Sequence, residues 1–158
     1  MMHEHEKFIK EAVKLALENV PSGKGGPFGA LVVKNGEIIG RGVNQVTSTN
    51  DPTAHAEVMA IRDACKNIGD FQLKDCIIYS SCEPCPMCLG AIYWARPKMI
   101  VFAAENTDAS QAGFDDSYIY KEISAPILQR KIPTLNLKPD NFFSPFQLWM
   151  DMEMKRPY

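Results

Sequence analysis

The run Cys76-Ile77-Ile78-Tyr79-Ser80-Ser81-Cys82-Glu83-Pro84-Cys85-Pro86-Met87-Cys88-Leu89-Gly90-Ala91-Ile92 changes character halfway along. Cys76 to Ser80 reads as a short strand of the buried type, apolar without alternation. Pro84 and Pro86 end it, and proline near a first helical position predicts a helix over Cys85 to Ala95. The first turn then holds Cys85 and Cys88, which share a face because they are three residues apart and so can point at one ion. The positive end of that helix favours their thiolate forms. Upstream, Asp51-Pro52 predicts another helix start, with the Asp side chain capping free amides and Pro in the first helical position. This places His55 in the first turn of a helix running to about Asn67.

One His and a Cys-x-x-Cys pair are ligands that zinc prefers, and a catalytic zinc keeps its fourth tetrahedral position for solvent. Glu57, two residues from the His, is a carboxylate suited to carry a proton for water at such a metal. Two thiolates and a neutral imidazole cancel the charge of Zn²⁺, and water held there ionises with a pKa on the order of 7. The spacing resembles the signature of zinc nucleobase deaminases, which implies attack on an electrophilic ring carbon that bears an amino group, with Glu57 returning the proton to the ring nitrogen and then to the departing amine. Three other readings use the same residues. Cys82 adds a third cysteine, so His55, Cys82, Cys85 and Cys88 can also be written as a closed structural zinc site, which leaves Glu57 without a task. An iron-sulfur cluster lacks its fourth cysteine. A non-catalytic, zinc-stabilised binding module also fits the ligand types.

The rest of the chain builds a frame around these residues. Phe8, Ala12, Val13, Ala16 and Val20 recur at helical spacing and predict an amphipathic helix between His3 and Val20, broken by Pro21 and the glycines after it. Phe28 to Lys34 and Glu37 to Val46 read as strands about Asn35-Gly36, a strong hairpin signal. Gly40 and Gly42 mark a bulge or a close approach of backbone. Met99 to Ala104 is a further strand, Asp115 to Ile123 a helix, Ile132 to Leu137 a last strand, and Phe146 to Lys155 a closing helix. The order implies a mixed five-stranded sheet with helices on its faces, parallel in its second half.

The chain has 158 residues and a formal net charge of −2. That length suits a single domain over 1–158 which buries roughly two-thirds of its unfolded surface. Lys and Arg are scattered, which argues against a nucleic-acid partner. Met1 to Lys7 carries no apolar leader, and no segment approaches the roughly 20 apolar residues of a membrane span, so a cytoplasmic location is expected. Five cysteines is an odd count, and three of them crowd together, which suits reduced thiols and metal better than disulfides. Cys65 and Cys76 read as core residues. Phe146, Leu148, Trp149, Met150 and Met152 are too apolar for a free tail and must pack on the body or on a partner.

Asn50-Asp51-Pro52-Thr53-Ala54-His55-Ala56-Glu57-Val58 and Ser81 to Ile92 resemble the zinc-binding signature of the cytidine deaminase superfamily. Within it the chain is most similar to the bacterial guanine deaminases. The stretches that carry this are Gly25-Gly26-Pro27-Phe28-Gly29-Ala30, Tyr93-Trp94-Ala95-Arg96-Pro97, Ala112-Gly113-Phe114-Asp115-Asp116-Ser117, Ser144-Pro145-Phe146-Gln147 and the terminal Tyr158. The resemblance implies a three-layer α/β/α fold and hydrolytic deamination of guanine to xanthine and ammonia. It implies His55, Cys85 and Cys88 as ligands of one Zn²⁺ per subunit, with water or hydroxide as fourth ligand. Glu57 and Asp116 become catalytic residues, and Phe28, Asn44, Ala56, Trp94 and Tyr158 substrate-binding ones. It further implies a homodimer that exchanges C-terminal segments of about 140–158, so that Tyr158 enters the partner's site.

Each of the pocket residues also has an ordinary structural explanation. Phe28 and Trp94 are apolar enough for a core, Asn44 can end a strand, and Asp115 or Asp116 can cap a helix. Guanosine, cytosine and cytidine are alternative substrates, because pocket shape decides among them. A tRNA adenosine deaminase shares the metal motifs. Against it stand the segment Ala104 to Gln111, which departs from that family, and a last helix in which Asp151 and Glu153 offset Lys155 and Arg156.

Overall fold

The computed structural model describes residues 2–158, arranged in two compact units, Met1–Ser117 and Tyr118–Tyr158. In the first unit, helix α1 (Met2–Ser22) runs through Pro21, two residues beyond the predicted end. A proline in a last turn forfeits little, because the helix is already giving up its hydrogen bonds there. The hairpin of β1 (Gly29–Lys34) and β2 (Glu37–Val43) turns on Asn35 and Gly36, both at positive φ (51° and 81°), as an Asn-Gly turn requires. The register slips between Val32 and Val33, a bulge opposite the Gly40 region. Strand β2 stops three residues short of the predicted Val46. The Asn44 side-chain oxygen accepts the N–H groups of Gly26 and Val46 and turns the chain into the short helix α2 (Val46–Thr49).

Helix α3 (Ala56–Ile68) starts after His55, which is its N-cap residue and not part of its first turn. Asp51 does not cap this helix. Its carboxylate accepts the N–H and the hydroxyl of Thr53 and closes a local turn. Strand β3 (Cys76–Cys82), helix α4 (Pro86–Ala95) and strand β4 (Met99–Ala104) follow. The sheet order is β2-β1-β3-β4. Strand β1 is antiparallel to β2 and β3, and β3 is parallel to β4.

Alternate residues of the strands feed two cores. Ala30, Val32 and Ile78 pack with Ala56, Ala60 and Ala64 of α3 and with Ile92 and Ala95 of α4. Leu31, Val33 and Tyr79 pack with Phe8 and Ala12 of α1. Helices therefore cover both faces, as the sequence implied. The close approach signalled by Gly40 and Gly42 is to helix backbone: a Cβ on either would run into Ala56, Ala60 or Ala64.

The expected fifth strand is absent among the described residues, and the sheet has four. Residues 132–138 join no strand. Pro133 lacks the N–H that a ladder needs, and Ile132, Leu135 and Leu137 are all exposed. Helix α5 (Asn106–Gln111), not anticipated from sequence, forms behind a reciprocal capping box of Glu105 and Asp108. Helix α6 (Ser117–Ser124) begins where the Asp115 carboxylate accepts the Ser117 N–H. In the second unit a 3₁₀ turn (Ile127–Gln129) precedes α7 (Ser144–Asp151), which starts earlier than predicted and ends four residues sooner. Glu122 accepts the Lys131 N–H, and Arg130 donates to the carbonyls of Ile123 and Ala125, which closes the loop between them.

Candidate metal centre and active site

His55 and Cys85 are the N-cap residues of α3 and α4, both in extended backbone conformation and neither capping with its side chain. Their side chains meet instead. His55 Nδ1 lies 3.5 Å from Cys85 Sγ and 3.5 Å from Cys88 Sγ, and the three ligand atoms fall within 4.8 Å of one another. A tetrahedral zinc with ordinary Zn–S and Zn–N bonds separates such an N and S by about 3.6 Å. The donor set therefore fits the ion in both type and spacing. Hydrogen bonds from Cys88 and His55, aided by the His55 charge, bring the Cys85 thiol down to about 4 against opposing burial. The Cys85–Cys88 contact in turn pushes the Cys88 thiol up, and the Cys85–His55 contact raises His55.

Glu57 sits in the first turn of α3, 6% exposed. Cys88 Sγ donates to its Oε2 at 3.4 Å, and Ser80 Oγ donates to its Oε1 at 3.2 Å. Burial pushes this carboxyl above the usual carboxylate range. Cys82 stands outside the ligand group. Its thiol points at the Glu105 carbonyl, 3.8 Å away, burial pushes it up to about 11, and it is not among the three residues whose ligand atoms converge.

Asp116 is half-buried and raised above its ordinary value, first by burial and then by the charge of Cys85. Asp115 takes the helix-capping task, leaving Asp116 in the field of the metal ligands. Asn44 is buried, and its carbonyl accepts from Asn19 Nδ2 at 2.9 Å. Phe28 is half-buried, with its ring edge-on to Phe114 at 5.0 Å, and it packs against the margin of the core formed by the sheet, α3 and α4. Ala56 is the first residue of α3, where a backbone amide has no partner within the helix. Trp94 lies off the buried Cys88, Ile92 and Ala95 stripe of α4 and is 63% exposed. Tyr158 is exposed in the second unit. Ser80 was not anticipated; its signal is a lone hydroxyl on the α3-facing side of a strand whose neighbours there, Cys76 and Ile78, are apolar.

Residues 2–104 match the family described as the cytidine and deoxycytidylate deaminase zinc-binding region. The guanine deaminase of Bacillus subtilis (strain 168) is 61% identical over 98% of this chain and 99% of its own length. A crystal structure of guanine deaminase from Bacillus subtilis superposes with a TM-score of 0.96, covering 98% of both chains. A tRNA-specific adenosine deaminase of Aquifex aeolicus is 40% identical over 63% of this chain and 65% of its own. A mutant protein solved in complex with 8-azaguanine is 27% identical, with a TM-score of 0.68 over 91% of this chain and 72% of its own. The chain belongs to the cytidine and deoxycytidylate deaminase family, and within it to the guanine deaminases.

Proposed function

We propose that this chain hydrolyses guanine to xanthine and ammonia, with His55, Cys85 and Cys88 holding one zinc per subunit. The observation that carries the reading is the buried Glu57 carboxylate beside Cys88, a group that a purely structural metal site does not use. A bound zinc supplies water acidified to a pKa of about 7. Glu57 takes the proton as the water oxygen bonds to the ring carbon that bears the amino group. It then delivers that proton to the adjacent ring nitrogen, and the proton of the newly bonded hydroxyl passes to the amino nitrogen, so that a carbonyl forms as the C–N bond breaks and ammonia leaves.

The remaining residues shape the pocket. The Asn44 oxygen is occupied by the Gly26 and Val46 amides, so its Nδ2 is the end left to face an acceptor atom of the base. Phe28 and Trp94 wall the ring, and the Ala56 amide binds a substrate oxygen or nitrogen. Asp116 hydrogen-bonds the substrate and assists proton movement. Phe146, Leu148 and Met150 are half or more exposed, an arrangement that suits a homodimer in which segments of about 140–158 are exchanged and Tyr158 completes a neighbour's pocket. A thiolate site suits a reducing cytoplasm. No helix among the described residues is long and apolar enough to cross a membrane.

The test is ammonia release from guanine, guanosine, cytosine, adenine and a tRNA side by side, with xanthine measured as product. Glu57→Gln should keep zinc and fold while turnover falls by about 10²–10⁴. Release from another substrate in place of guanine, or full activity in that variant, would overturn the reading.

A further inference from the structure

We propose that Ser80 is a positioning residue for Glu57, an inference that rests on the deaminase reading above. Ser80 lies in β3, paired with Ala30 on one side and Phe102 on the other, and is 2% exposed. A hydroxyl in so dry a place is costly unless it is bonded. Its partner is Glu57 Oε1 at 3.2 Å, a fully buried contact that joins the sheet to α3. Packing alone does not require the hydroxyl, because alanine fills nearly the same volume and Ala30, Ala56, Ala60 and Ala64 already serve this core.

What the hydroxyl adds is a second point of attachment for the carboxylate. The backbone of α3 fixes only one end of Glu57, whose side chain has three rotatable torsions. Cys88 Sγ approaches Oε2, and Ser80 holds Oε1 from the opposite element. A hydroxyl both donates and accepts. It donates to the ionised carboxylate, and it can turn and accept when Oε1 carries the proton, so the tether survives both states that a proton carrier passes through. A fixed donor such as an amide N–H lacks that reversal. Ser80 acts through Glu57 and needs no contact with the substrate.

The experiment compares zinc-loaded wild type, Ser80→Ala, Ser80→Thr, Glu57→Gln and the Ser80→Ala/Glu57→Gln double variant. Ser80→Ala should lower kcat on the order of 10-fold, the scale of a loosened orientation. KM for guanine, affinity for xanthine, zinc content and thermal midpoint should stay at wild-type values. Ser80→Thr, which keeps the hydroxyl, should restore most of kcat. In the Glu57→Gln background Ser80→Ala should cost nothing more, because residues that act as a unit are not additive. If Ser80→Ala loosens the fold, Ser80→Cys, of similar shape and a much weaker donor, gives the same comparison. An unchanged kcat in Ser80→Ala, or an equal loss in the Glu57→Gln background, would overturn the role while leaving the deaminase reading intact. No guanine turnover by the wild-type protein would overturn that reading and this role with it.

Discussion

Gly42→Ala should damage catalysis more than Gly40→Ala, although the two substitutions add the same methyl to the same strand. Ala56, Ala60 and Ala64 are fully buried and rest directly on β2. A Cβ at Gly40 would lie 2.6 Å from the Ala60 carbonyl oxygen and 2.7 Å from Ala64 Cβ, where ordinary contact begins at 3.4 Å. At Gly42 the collision is harder, against the Ala56 carbonyl oxygen and the Ala60 amide. Backbone or the immobile Ala64 Cβ stands on the helix side of each contact, so no flexible side chain can yield and α3 must back away by on the order of 1 Å. Overpacking of this kind costs about 1–3 kcal/mol, offset in part by the stiffer unfolded chain, about 0.4–1 kcal/mol. Both variants should therefore lose roughly 1–2 kcal/mol in urea unfolding.

Their activities should separate. Gly42 bears on the first turn of α3, where Ala56 lies between His55 and Glu57, whereas Gly40 bears on Ala60 and Ala64, beyond that turn. A misplacement of about 1 Å can cost 10²-fold in rate, so Gly42→Ala should lose about that factor in kcat and bind zinc less tightly. Gly40→Ala should lose well under half of that factor on a logarithmic scale. Steady-state kcat on guanine and zinc content at matched folded fraction read the difference. Equal losses in kcat, or wild-type kcat in Gly42→Ala, would refute the idea that this glycine sets the depth of the site.

Cys82→Ser should leave one zinc per chain by metal analysis, since the Cys82 thiol faces the Glu105 carbonyl; substoichiometric metal would make it a ligand. Removing Tyr158 alone should lower kcat/KM for guanine by more than it shifts the thermal midpoint, and unchanged kinetics would remove this residue from the pocket.

The strands and helices that carry the metal ligands were legible because several signals agree there. Between Cys76 and Ala104 the apolar strand, the paired prolines and the second strand follow one another without competition, and the order β3, α4, β4 followed. The Asn35-Gly36 turn was equally unambiguous. Readings failed where a side chain took a task other than its commonest one. Asn44 bonds to the Gly26 amide across the fold and ends β2 early, a contact invisible to local pattern. Asp51 closes a turn on Thr53 and leaves the cap to His55. The alternating apolar residues of 132–137 look like a strand until Pro133 is weighed against the ladder it would have to join. Helix α5 hides because Glu105 serves as its N-cap, a residue type seldom associated with that position. Ser80 is hard to read from sequence because a serine in a strand has no meaning until the facing helix is placed.

The errors at the starts of α3 and α4 share one physical cause, and it bears on function. A helix N-cap ordinarily goes to Ser, Thr, Asp or Asn, whose side chain satisfies a free amide. Here the cap positions hold His55 and Cys85, in the extended backbone that a cap requires, with side chains turned toward each other and no cap bond. Capping stability is thereby given up twice within one site. In return, two rigid helices start at the same point and deliver their ligands from backbone that is already fixed by the sheet. The amides left without side-chain caps keep the positive ends of both helices directed at the cluster, which favours thiolate ligands there. The first turn of each helix then supplies Glu57 and Cys88 at 3.4 Å from one another, so ligand and proton carrier inherit their spacing from the crossing of α3 and α4.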